Sequence, residues 1–248
     1  MNCKNCGEKV QGKYCSHCGQ SSHIDKLTLS NLLNELAESV FQINRGFFYT
    51  LKELFSRPGD RIKEYLGGRR KKYFKPISYV LLLSTIYFLI TQITGQNTWM
   101  DDLISGFSIG AQESGKGTEV PPALIWFSKN FAYTTLLLLP VFSLASYLSF
   151  RDLGRNYLEH FVVNSYITGQ QAVFYSLFAI MKVFTDSRTI EMLSVLIAFL
   201  FTLWVFWQFF EAGNRILNIL RSVLTYILYL IFRLWVLFMI MGISEITN

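Results

Sequence analysis

From Pro76 onward the chain alternates long apolar runs with short polar ones. Five runs approach the roughly 20 residues that a helix needs to cross a hydrocarbon core of about 30 Å. They fall near Pro76 to Thr94, Asn130 to Phe150, Phe161 to Phe184, Ile190 to Phe210 and Asn218 to Gly242. The second contains Pro140, which removes one backbone donor and is expected to kink its helix. Residues 1–75 are polar overall, with apolar positions recurring at three- and four-residue steps. Thr28 or Ser30 caps a first amphipathic helix carrying Leu32, Leu33, Leu36, Val40 and Phe41. A second begins near Gly46 with Phe47, Phe48, Leu51, Leu54 and Phe55. A third starts at Pro58, carries Ile62, Tyr65 and Leu66, and is closed by Gly67 and Gly68. These stripes need cover, either from one another and the bundle or from the headgroup plane of the lipid. The pattern predicts an all-α membrane protein: a bundle of about five transmembrane helices (76–248), preceded by cytosolic amphipathic helices and a basic collar (23–75) and by a small N-terminal zinc ribbon (1–22).

Composition supports the membrane reading. Hydrophobic residues make up 51% of the chain and charged residues 16%, against about 25% charged in soluble domains. Residues 1–75 hold 14 Lys and Arg against 7 Asp and Glu, which accounts for the net charge of +6. A basic patch directly ahead of a span is a topology signal and a headgroup contact, so no nucleic acid is expected. Arg69, Arg70, Lys71, Lys72 and Lys75 are the candidate headgroup contacts, each worth about 1 kcal/mol near an anionic surface. With five spans they share a side with Arg151, Arg155, Arg215 and Arg221. The opposite flanks carry Asp101, Asp102, Glu113, Glu119, Asp186, Glu191 and Glu245, with Lys116, Lys129 and Arg188 as exceptions. The N-terminus is therefore expected in the cytosol and the C-terminus outside. Met1 to Val10 has neither an apolar core nor a cleavage site, so the first span should act as its own insertion signal.

All four cysteines lie in the first 18 residues, as Cys3-Lys-Asn-Cys6-Gly7 and Cys15-Ser-His-Cys18-Gly19. In each knuckle two thiolates face one cation, and the following glycine takes a backbone angle closed to other residues. Cys3, Cys6, Cys15 and Cys18 together form a closed tetrahedral set, for which Zn²⁺ is the fitting metal. A closed set leaves no position for substrate, so the zinc is structural, and it supplies much of the folding free energy of so small a module. His17 sits between the second pair and is expected to be solvated.

Beside the knuckles, the strings Asn44-Arg45-Gly46-Phe47-Phe48-Tyr49-Thr50-Leu51-Lys52-Glu53-Leu54, Arg57-Pro58-Gly59, Glu64-Tyr65-Leu66, Gly68-Arg69-Arg70 and Tyr73-Phe74-Lys75-Pro76 carry a further likeness. From Cys3 to about Ile93 the chain resembles the domain of unknown function 3667 family. The resemblance implies an N-terminal zinc ribbon ahead of a multispan region in a bacterial cytoplasmic membrane. It implies no activity, and no catalytic or binding residue is carried over. Read physically, the strings form a docking collar: Arg45-Gly46 separates two helices, Arg57-Pro58-Gly59 turns into a third, and the cations fix the first span at the headgroups.

Inside the spans, Arg233 would cost at least about 2.5 kcal/mol if it were unpaired. It is expected to hydrogen-bond the pair Gln170 and Gln171, with Gly169 and Asn164 nearby. The cluster reads either as an anion or headgroup site or as an interhelical clasp worth below about 2 kcal/mol. Gly110 to Thr118 imitates a phosphate loop but has Gly117 where Ser or Thr is needed, and no strand precedes it. His17, His23 and His160 form no metalloprotease pair, and no Gly-x-Ser-x-Gly occurs. The leading expectation is a membrane-anchored interaction or regulatory module, not an enzyme, that contacts membrane lipids and a protein partner on the cytosolic side. A homo-oligomer is left open. The alternative is a small transporter, channel or lipid-handling protein working through Gln170, Gln171 and Arg233.

Overall fold

The computed structural model describes residues 1–22, 28, 45–113, 120–185 and 188–246. The amphipathic helix expected around Leu32 to Phe41 lies outside the described residues. The other two amphipathic stripes are helices α1 (Arg45–Ser56) and α2 (Pro58–Leu66). Pro58 opens α2, where its missing N–H costs nothing. The backbone N–H groups of Gly67 and Gly68 close the helix on Lys63 O and Tyr65 O, and Gly68 takes a positive φ of 104°.

Among the described residues, four helices are long and apolar enough to cross a membrane: α3 (Pro76–Thr94), α6 (Phe131–Phe150, extended to Leu153 by one 3₁₀ turn), α8 (Arg188–Phe209) and α9 (Arg215–Ile246). The remaining expected span is α7 (Tyr157–Phe184), which has 28 residues but falls short in hydropathy. The reason is visible in its packing. His160, Asn164, Ser165, Gln170 and Ser176 of α7 are all buried among neighbouring helices, so the polar residues that depress its hydropathy face protein. Packed against α3, α6 and α8, with its largest interface on α3, it is the central helix. Asn156 and Glu159 form a reciprocal capping box at its start. Pro140 does not interrupt α6.

The long connection between α3 and α6, read from the sequence only as an acidic loop, contains α4 (Trp99–Glu113) and α5 (Pro122–Lys129). Asp101 accepts from the backbone N–H and the hydroxyl of Thr98, at 2.8 and 2.7 Å, and from the Ser128 hydroxyl, which joins α4 to α5. Burial works against its charge, but those three donors outweigh it and hold the carboxyl below its usual range. Met100 and Leu124 are fully buried beneath the pair.

The core is built around one close approach. A Cβ on Gly169 would lie 2.5 Å from Cδ1 of Tyr79, so α3 and α7 meet at this depth only because position 169 lacks a side chain. The Tyr79 hydroxyl donates to Gln170 Oε1 at 2.5 Å. The Tyr79 ring is also in contact with Phe47 of α1 and Tyr166 of α7. Replacing Gly169 with alanine is expected to cost about 1–3 kcal/mol through overpacking. Gly106→Ala, at an open helical position, should be neutral or stabilising by up to about 1 kcal/mol. Thermal unfolding of the two variants in detergent, followed by circular dichroism, checks both.

Candidate metal centre

The two knuckles are copies of one another, offset by twelve residues. Gly7 N donates to Cys3 O and Gly19 N to Cys15 O, both at 2.8 Å. Cys3 N donates to Glu8 O and Cys15 N to Gln20 O, again at 2.8 Å. The antiparallel bridge Asn2 to Lys9 repeats as Tyr14 to Ser21. Gly7 and Gly19 take φ of 82° and 69°, as expected of residues that reverse the chain behind a ligand pair. The four sulfurs lie within 4.8 Å of one another, with Cys3 to Cys18 at 3.6 Å and Cys6 to Cys15 at 3.5 Å. With Zn–S of about 2.3 Å, a tetrahedron has edges near 3.8 Å, so the thiol set fits that ion. Cys3 and Cys15 are buried with Val10 in a core of their own, and His17 is exposed. Burial opposes ionisation of Cys18, but the Gln20 backbone, Asn5 and the neighbouring thiols outweigh it and bring the thiol down to about 6.

Beneath the module the collar is built from ordinary packing and ion pairs. Thr50 accepts from Phe74 N at 2.7 Å and donates to Gly46 O, while the Tyr166 hydroxyl donates to Phe74 O at 2.7 Å. Both sides of the Phe74 peptide are therefore fixed just before α3 begins. Arg61 pairs with Glu53 at 2.6 Å and Glu64 at 2.9 Å, and Arg69 approaches Glu64 at 3.8 Å. The Tyr73 hydroxyl donates to Glu64 at 2.8 Å. Burial, together with that hydrogen bond and the Glu64 charge, pushes the phenol upward and keeps it a donor. Gly59 N donates to Gln208 Oε1 at 3.0 Å, and a Cβ there would come within 2.6 Å of Phe209 N, so α2 sits directly on the end of α8. Lys63 adds an ion pair to Glu211 at 2.5 Å. The buried face of α1 is Phe47, Thr50 and Leu54; Phe48, Lys52 and Phe55 are exposed, Phe48 at 64%.

Residues 44–88 match the family model described as protein of unknown function (DUF3667). The matched segment comprises α1, α2, the basic turn and most of α3. It stops short of the expected Ile93, and the cysteine module lies outside it. No curated protein and no solved structure matches the chain.

Of the cations singled out in the sequence, Arg69, Lys71 and Lys72 are exposed, while Arg70 and Lys75 are half-buried. The Arg70 guanidinium lies 5.6 Å above the ring of Tyr65. The polar residues of the bundle are arranged differently from expectation. Gln170 faces α3 and takes Tyr79. Gln171 faces α8 and α9, donating to Thr202 Oγ1 and Tyr226 Oη at 2.9 Å and to Ala198 O at 3.2 Å. Adjacent residues stand about 100° apart on a helix, so the two amides cannot turn to one partner. Arg233 lies about 10 Å beyond Tyr226 along α9 and is stacked 5.7 Å from the centroid of the Tyr229 ring. Among the described contacts, Gln171, Thr202 and Tyr226 form one cluster, and Arg233 lies over Tyr229.

Sequence reasoning missed two polar stripes. Asn218, Ser222 and Thr225 are buried on α9 in line with Tyr226 and Tyr229, so the last span packs on α6 and α8 by its polar side and turns leucines and isoleucines outward. On α6, Ser146 Oγ accepts from Asn164 at 2.7 Å and lies 3.0 Å from His160 Nδ1. Spacings of three and four among small polar residues were the available signal.

The metal centre predicts that the purified chain binds one Zn²⁺, read by inductively coupled plasma mass spectrometry, and that Cys15→Ser reduces this at least tenfold. Chelation should leave far-UV circular dichroism nearly unchanged, because the helices draw nothing from the ligands. In the bundle, Gln171→Leu should lower stability by about 0.5–1.5 kcal/mol, since Thr202 and Tyr226 lose the amide but keep their bond to each other at 2.8 Å.

Proposed function

We propose that this chain is a five-span protein of a bacterial cytoplasmic membrane whose zinc-bound module and collar form a cytosolic platform for a protein partner. On this reading it is an interaction or regulatory protein rather than an enzyme. The observation that carries the proposal is that Gln170 and Gln171 bond Tyr79, Thr202 and Tyr226 of neighbouring helices instead of lining a cavity. An apolar groove of about 540 Å³ is lined by Leu103, Phe107, Leu234, Trp235, Leu237 and Phe238, and a polar cup of about 70 Å³ lies between the far ends of α3, α7 and α8. Neither is lined by Gln170, Gln171 or Arg233. A closed four-thiolate site likewise leaves the metal no position for substrate.

The central place of α7 supports five spans: a helix of 28 residues, about 42 Å long, that packs along α3 at Tyr79 would cross with it. The ends then sort consistently. Gly59 meets Gln208, Leu153 lies near Gly213, and Arg221 pairs with Asp152 at 3.4 Å, so the Arg- and Lys-rich flanks gather at one end of the bundle. The ion pair of Lys182 with Glu191 and the α4–α5 pair lie at the other. By the positive-inside rule the first end, with the module, is cytosolic.

The topology predicts that Asp102→Cys is labelled in intact cells by a membrane-impermeant maleimide, whereas Arg151→Cys is labelled only after permeabilisation; the opposite pattern inverts the orientation. For the function, native mass spectrometry of protein drawn gently from its own membrane should find one zinc per chain together with a protein-sized additional mass. Zinc with only a lipid- or metabolite-sized mass would favour transport or lipid handling.

A further inference from the structure

The second knuckle is fastened to the segment that leads into α3. Gln20 is buried, and its Nε2 donates to Gly68 O at 2.9 Å. Its Oε1 accepts from the backbone N–H groups of Arg70 at 3.2 Å and Lys71 at 3.1 Å. One side chain therefore satisfies three backbone groups of the basic turn. A second contact reinforces the first: the end of the Lys71 chain passes 3.8 Å from where a Cβ on Gly19 would lie. Gln20 itself is held by the metal centre, since its carbonyl accepts from the N–H of Cys15. Among the described residues the module's own buried core is Cys3, Val10 and Cys15 with Cys18 packed against them, too small to fix Gln20 without the ion.

We propose that the metal module is a latch: with zinc bound, Gln20 holds the basic turn in the conformation that presents Arg69, Lys71 and Lys72 to the anionic phospholipid headgroups of the surrounding membrane, and loss of the metal releases it. This rests on the reading of the cysteine set as a zinc site. Charge complementarity and position support the lipid as occupant. The three cations are exposed a few residues before the first span begins, and Phe48 is exposed on the adjoining collar helix. The neighbouring carboxylate Glu64 is engaged by Arg61 and Tyr73 and lies 3.8 Å from Arg69, so Lys71 and Lys72 are left wholly to the lipid and Arg69 is shared with Glu64. Without the clamp, the N–H groups of Arg70 and Lys71 turn to water and the turn samples other paths.

The test uses the full chain in nanodiscs of zwitterionic lipid with added phosphatidylglycerol. Amide hydrogen exchange is measured across residues 67–76, and the retained phosphatidylglycerol is counted by native mass spectrometry. Zinc-loaded protein should protect the turn, and chelation should raise exchange at Arg70 and Lys71 about tenfold while lowering the lipid count. Gln20→Ala should do the same with zinc still at one per chain. Gln20→Glu, which keeps the two acceptor bonds and loses the donor, should fall between. Zinc-loaded Gln20→Ala with wild-type protection would overturn the latch while leaving the zinc site standing, as would chelation that changes neither exchange nor lipid count. Wild-type protein that holds no zinc would overturn both.

Discussion

Tyr79 pressed against Gly169 is the contact on which the rest of the structure depends. It sets the separation of the first span from the central helix, and it brings Gln170 to the tyrosine hydroxyl. The same ring supports Phe47, and through it the first collar helix. One turn earlier on α7, Tyr166 holds the Phe74 carbonyl while Thr50 of α1 holds its N–H. The start of α3 and the docking of the collar rest on the same few aromatic and hydroxyl groups.

The same kind of packing runs through residues 44–88, the segment that matches the family model. Tyr65, Tyr73, Phe74 and Gly59 are buried, and Arg61 of α2 pairs with Glu53 of α1 and with Glu64. Gly59 has no room for a side chain because α8 passes against it. Such a string reads as the specification of a joint between a peripheral layer and a bundle. Individual ion pairs at its surface contribute little; the joint is held by aromatic burial and by hydrogen bonds to the Phe74 peptide.

Much of this was legible in the sequence where periodicity and punctuation agree. The stripes at Phe47 to Phe55 and Ile62 to Leu66 became helices at the predicted Gly and Pro boundaries, and the four cysteines came together as spaced. The spans with uniformly apolar surroundings were equally plain. Where polar residues face protein within the bundle, hydropathy misleads: α7 is depressed by residues that never meet lipid, and α9 hides a polar stripe among leucines. Pairing was harder still. Gln170 and Gln171 looked like one site because they are adjacent in the chain, yet helical geometry sends them to different neighbours. Only the bundle decides which of two adjacent side chains meets which helix. The helices α4 and α5 could have been anticipated from Thr98 and Asp101, which cap one, and Pro122, which opens the other.

The twelve-residue duplication of the knuckles has a consequence for how the module can sit. Its two halves share a backbone, so by shape alone either could be placed against the turn at Gly68. The position that decides is the residue after the glycine of each knuckle, Gln20 in one half and Glu8 in the other. A carboxylate there has no proton to give the Gly68 carbonyl, and it would carry a charge into a buried contact. A nearly symmetric object is thereby made to seat in one orientation, by the difference between an amide and an acid.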